Sequence, residues 1–194
     1  MGSATAAHWG FPATVAATRV DLSALFTVRG VSTTSGGGSF DSSGYAYPAD
    51  EMPAGGLFVS GRVPWTFPPA ADGSLSALTG GGQRTTVSSA AYKALHILGS
   101  AVHGDKTGTA AMTYGDGTAS TATLSLTDWA SPAAHGEKTA VYASYRHGPH
   151  ADQPVPVRVF HQALPVDPAR TLTSVTLPVN SRMRIMAISA ERAA

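Results

Sequence analysis

Cysteine is absent from all 194 residues, which excludes disulfides, thiolate metal sites and a cysteine nucleophile. Charge is scarce too: Asp, Glu, Lys and Arg make up 13% of the chain, about half the usual quarter. Glutamate stands only at Glu51, Glu137 and Glu191, and lysine only at Lys93, Lys106 and Lys138. A sequence this poor in helix formers and surface charge is neither a coiled coil, nor a solvated helical bundle, nor a charge-rich disordered tail. Thirteen Lys and Arg balance twelve Asp and Glu, for a net charge of +1. That leaves no basic excess to neutralise a phosphate backbone, so nucleic acid is not an expected partner. No apolar stretch approaches the roughly 18 residues of a membrane span, so no membrane partner is expected either. The first residues lack the basic flank and apolar run of a secretion signal, and cysteine usage leaves the compartment open.

What is present is punctuation. Twenty-one Gly and 13 Pro, with many Ser and Thr, break the chain every eight to twelve residues. Short β-prone runs lie between the breaks, the signature of an all-β sandwich or barrel. Residues 57–59 and 62–67 read as a hairpin around Ser60-Gly61, with Pro64 confining its strand to an edge or a bulge. Residues 109–114 and 118–126 read as a second hairpin around Gly115-Asp116-Gly117. In its return strand Ala122, Leu124 and Leu126 alternate with Thr123, Ser125 and Thr127, so one face is buried and the other wet. Adding residues 19–26, 83–87, 92–100, 139–145, 155–163, 172–177 and 183–189 gives about ten strands, which suits a two-sheet antiparallel sandwich with little helix. Residues 32–39, 70–82 and 147–156 read as loops. Residues 1–17, rich in Ala and Thr, read as a flexible arm before a single domain at 18–194.

Most catalytic signatures are missing. The chain has no G-x-S-x-G elbow, no phosphate-cradling G-x-x-x-x-G-K-[ST] or G-x-G-x-x-G, and no H-E-x-x-H. The remaining chemistry sits in loops. Tyr145-Arg146-His147-Gly148-Pro149-His150-Ala151-Asp152 holds two imidazoles and a carboxylate, so His147, His150 and Asp152 are weak candidates for a divalent metal; a solvated loop is the plainer reading. Arg146 offers a fork of donors to a hydroxyl-rich or carboxylated ligand. Phe40-Asp41-Ser42-Ser43-Gly44-Tyr45-Ala46-Tyr47-Pro48 puts a carboxylate and two tyrosines around a flexible glycine. Sugars dock by stacking on aromatic faces and by bonding planar polar groups, so Asp41, Tyr45 and Tyr47 are candidate sugar-binding residues, against the alternative that the tyrosines anchor the loop in the core. Trp129 reads first as core, with Asp128 capping its turn, and second as a sugar-stacking ring. His103 follows a strand and can face a ligand, His147 joins the same set, and His96 reads as structural. Trp65 suits an exposed and a buried position equally.

Several segments together resemble a known type of domain. They are Val20-Asp21-Leu22-Ser23-Ala24-Leu25-Phe26, the Phe40 to Ala49 segment, Val63-Pro64-Trp65-Thr66-Phe67-Pro68, Ala94-Leu95-His96-Ile97-Leu98-Gly99-Ser100-Ala101, Tyr114-Gly115-Asp116-Gly117-Thr118, Asp128-Trp129 and Gln162-Ala163-Leu164-Pro165-Val166-Asp167-Pro168. In this order they resemble the accessory β-sandwich appended to many actinobacterial glycoside hydrolases, a galactose-binding-like jelly roll taken to be a carbohydrate-binding module. The resemblance implies a secreted, non-catalytic domain whose partners are a carbohydrate and a glycoside hydrolase catalytic domain or subunit. One departure stands out: Asp72-Gly73-Ser74-Leu75 occupies the place where such domains often carry Asp-Asn.

Three functions follow as expectations. The first is a non-catalytic carbohydrate-binding module. The second is a small glycan-active enzyme, for which Glu51, Glu137, Asp41, Asp128 and Asp152 supply carboxylates, or Tyr145, His147 and Arg146 the groups of a lyase. The third is an assembly subunit without a small ligand. No motif calls for a cofactor; a structural calcium ion is the one the sequence leaves open.

Overall fold

The computed structural model describes residues 14–194. In chain order the strands are β1 (Ala17–Val20), β2 (Val31–Ser32), β3 (Tyr47–Pro48), β4 (Gly56–Ser60), β5 (Val63–Phe67), β6 (Leu78–Gly81), β7 (Arg84–Ala101) and β8 (Lys106–Tyr114). They continue as β9 (Ala119–Leu126), β10 (Lys138–Ala143), β11 (Arg146–His147), β12 (Asp152–Gln153), β13 (Val157–Pro165), β14 (Thr171–Thr176) and β15 (Val179–Arg192). Two 3-10 turns, Ser23–Leu25 and Ala49–Glu51, are the helical elements among the described residues.

The all-β expectation holds. One layer runs β10-β13-β7-β15, with β1 and β6 sharing the outer side of β15. The other runs β7-β14-β8-β9. Strand β7 belongs to both. Its first half pairs with β14 and its second half with β13 and β15, and the β14 register jumps from Leu172 opposite Ala90 to Ser174 opposite Thr86. A bulge of this kind bends a strand and lets it turn the corner between two sheets. The segments 83–87 and 92–100, separate in the sequence reading, are therefore one strand.

Leu95, Ile97, Met112, Leu124, Val175 and Ile185 fill the space between the layers. The far side of the first layer is buried as well: Leu98, Val159 and Met186 pack under Trp65, Tyr47 and Trp129. A sheet covered on both faces needs no polar alternation, which is why β7 is buried continuously from Leu95 to Ala101. Each ring taken fully out of water stabilises this side by about 2–3 kcal/mol.

Trp65 is fully buried. In β5 Val63, Trp65 and Phe67 alternate inward, so Pro64 faces away from that core. The β4–β5 turn is Gly61-Arg62, both residues with positive φ (59° and 68°), one step beyond the expected Ser60-Gly61. Both central residues of the tightest hairpin turns adopt this conformation. Residues 19–26 do not continue as a strand: Asp21 Oδ1 accepts from Ser23 N at 2.9 Å and the chain enters its 3-10 turn. The expected loop at 70–82 contains β6, whose Gly80 lies so close to β15 that a Cβ would stand 2.7 Å from Asn180 O. Of the expected N-terminal arm, residues 1–13 lie outside the described residues. Val15 N donates to Arg62 O and Arg192 N to Ala16 O, both at 2.8 Å, and β1 pairs with β15.

Candidate functional site

Two segments, residues 32–47 and 145–153, meet at one corner of the first layer. Val31 and Ser32 pair with Tyr47 and Pro48, Ala46 bridges His147, and Gly36 N donates to Gly148 O at 2.9 Å. Gly38 permits this crossing, since a Cβ there would lie 2.8 Å from Arg29 O and from the Ala46 methyl. Asp72, in the departing tetrapeptide, ties a further loop to the corner by accepting from Thr33 N at 2.7 Å and from Thr33 Oγ1. Those bonds hold its carboxyl below the usual range.

Arg146 and Tyr45 come together. The guanidinium carbon lies 4.0 Å from the Tyr45 ring centroid and 5.8 Å from that of Trp129. Gln153 Oε1 accepts from Arg146 Nε at 3.1 Å and from Nη2 at 2.8 Å. A planar cation on an aromatic face with a two-point acceptor behind it is held in one orientation. Both side chains remain half-exposed.

His147 and Asp152 form the corner's second pair. His147 Nδ1 is 2.5 Å from Asp152 Oδ1, which also accepts from Ser35 Oγ at 2.6 Å. The Ser35 and His147 bonds lower the Asp152 carboxyl. His147 is buried, and its Nε2 has no hydrogen-bond partner among the described residues. Asp152 takes one imidazole nitrogen, and no three His, Asp or Glu side chains converge among the described residues. His150 is exposed.

Other expected site residues support the corner from beneath. Tyr47 and Trp129 are buried and meet Phe40 in a three-ring cluster with centroids 4.7–5.1 Å apart. Tyr47 Oη donates to Arg158 O at 2.7 Å, and burial raises its hydroxyl far above the ordinary phenol. Neither ring offers a face to a ligand: Trp129 takes the core position read first for it, and Tyr47 takes the anchoring role weighed against stacking. Asp41 is also buried; its Oδ1 accepts from Ser43 N at 2.8 Å and Tyr45 N at 3.1 Å, shaping the loop that carries Tyr45. His103, at positive φ (56°), bonds Asp41 O through Nε2 at 2.7 Å. Arg184, nearly buried, holds the same loop by donating to Phe40 O and Ser42 Oγ, each at 2.9 Å.

The groups proposed for catalysis have local partners. Glu51 accepts from Ser144 N and Oγ. Asp128 accepts from Gly104 N and Ala130 N. Tyr145 donates to Asp50 Oδ1 at 2.7 Å; partial burial and that bond push its hydroxyl up to about 12, which disfavours it as a base near neutrality.

The sequence reading missed a cluster in the wall of the first layer. His96 Nδ1 lies 2.9 Å from His161 Nε2, and His96 Nε2 lies 3.1 Å from Glu191 Oε2. Burial, with His96 and Lys138 nearby, lowers His161 to about 4. A polar residue inside an apolar strand run, as in Phe160-His161 and Ala190-Glu191, was the available signal.

A family model described as an AziU2-like beta-sandwich domain matches residues 16–194, and the chain belongs to that family. No curated protein matches the chain.

Proposed function

We propose that this β-sandwich is a non-catalytic binding domain that takes a carbohydrate at the Tyr45–Arg146 corner and serves a glycan-active partner. The observation that carries the reading is the fixed guanidinium. Arg146 is held by a ring on one side and by Gln153 behind, while its Nη1 donates to no described residue. Donors fixed in advance lose little entropy when a hydroxyl-rich ligand docks. The phenol of Tyr45, which accepts from Gln153 Nε2 at 3.4 Å, is a further hydrogen-bonding group there. A shallow rim of this kind supports binding of about 4–6 kcal/mol, tens of micromolar to millimolar.

A glycan array probed with the wild type, Arg146→Ala and Tyr45→Ala tests the reading. Binding by the wild type and its loss in both variants is the expected result; equal binding by all three removes the site. A second reading, an assembly domain for another protein, draws on Leu57 and Val59, which are 69% and 47% exposed on the outer face of β4. Under that reading no glycan binds, and Leu57→Ser weakens capture of the partner.

A further inference from the structure

A polar cleft of about 410 Å³, separate from the Tyr45–Arg146 corner, opens beside the β4–β5 turn and is lined by Gly61, Arg62, Lys138, His161, Gln162 and Glu191 among others. A relay of hydrogen bonds runs into it. Lys93 Nζ pairs with Glu191 Oε1 at 3.1 Å, Glu191 Oε2 meets His96 Nε2 at 3.1 Å, and His96 Nδ1 meets His161 Nε2 at 2.9 Å.

The Glu191 carboxylate fixes one proton of the relay. A carboxylate only accepts, so His96 Nε2 carries hydrogen; with that ring neutral, its bare Nδ1 accepts from His161 Nε2–H. His161 is left with a lone pair on Nδ1, and no described residue bonds that atom. A side chain at Gly61 would put its Cβ 3.4 Å from this nitrogen, so the glycine leaves room at the acceptor. Trp65, with its centroid 5.0 Å away, packs edge-on to the same ring and fixes its plane. Lys138 stands opposite His161 in the β10–β13 ladder and brings positive charge to the cleft. Glu191, the one carboxylate among the described lining residues, is already engaged by Lys93 and His96.

We propose that this cleft is a second ligand site, in which His161 Nδ1 accepts a hydrogen bond from the hydroxyl of a small hydroxycarboxylate while Lys138 pairs with the carboxylate. An oriented acceptor beside a cation, in a cleft of this size, selects for a ligand carrying both a donor and a negative charge.

Lactate is the probe, and long-range ¹H–¹⁵N NMR of the histidine rings is the readout. The free protein shows His161 as the Nε2–H tautomer. Lactate shifts its Nδ1 resonance saturably, with half-saturation in the millimolar range or tighter. Propionate, which lacks the hydroxyl, leaves Nδ1 unmoved, and Lys138→Met, an exposed change, weakens lactate at least about tenfold. A His161 Nδ1–H tautomer overturns the proposal. So does the absence of a saturable shift, a propionate response equal to lactate's, or a lactate response confined to Arg146 Nε.

Discussion

The Arg146 guanidinium sits 4.0 Å from the centroid of the Tyr45 ring, and Gln153 secures it there through Nε and Nη2. Lysine keeps the charge but cannot lie flat on the ring or donate to Gln153 from a planar fork. Arg146→Lys therefore remains folded, loses about 0.5–1.5 kcal/mol of stability, and binds glycan at least about tenfold more weakly, as read by calorimetric titration.

Tyr47 separates packing from ligand contact. Its hydroxyl bonds Arg158 O and Ser100 Oγ inside the core. Tyr47→Phe removes those bonds and keeps the ring, so urea unfolding shows a loss of about 1–2 kcal/mol, while glycan affinity of the folded variant is unchanged.

Acid acts first through His161 and then through the lowered carboxyls, Glu137 among them. His161 has its pKa lowered to about 4 by burial and by the neighbouring His96 and Lys138. The unfolded chain thus binds the extra proton first, and stability falls as pH drops from about 6.5 to about 4. Allowing for its partial exposure, this contributes about 1–2 kcal/mol. Burial raises Glu137, but the bonds it accepts from Thr127 and His135 outweigh this and lower it, so its contribution is present above the ordinary carboxyl range and is lost below it. Melting profiles against pH for the wild type and His161→Phe check the upper window: the slope between about 6.5 and 4 flattens in the variant.

Gly80 is required by the approach of β6 to β15. Gly80→Ala forces a methyl toward Asn180 O and costs about 1–3 kcal/mol, with amide exchange accelerated first at Leu78 and Thr79.

The sandwich was legible because turn residues and period-two alternation are local. The β8–β9 hairpin announces itself through Gly115-Asp116-Gly117 and through Leu124 and Leu126 facing inward. The single β7 was not legible, because its bend depends on a bulge against β14 and on a change of partner, both non-local. β6 was hidden by the same glycines that let it pair. At the corner, residue types on two short segments pointed to Tyr45 and Arg146. They could not decide that Tyr47 and Trp129 turn into the core, since that depends on Arg158 bonding Tyr47 and on Phe40 meeting Trp129, both distant in the chain. The His96–His161–Glu191 relay joins three strands far apart in sequence, and only the β7–β13 and β7–β15 registers reveal it.

The most direct measurement follows the Arg146 Nε–H and Tyr45 ring resonances while galactose-containing and other oligosaccharides are added to the wild-type protein. Binding at the corner predicts saturable shifts of both signals with at least one oligosaccharide, and their disappearance in Gln153→Ala, which frees the guanidinium. Shifts that bypass both residues, or none with any sugar, contradict it.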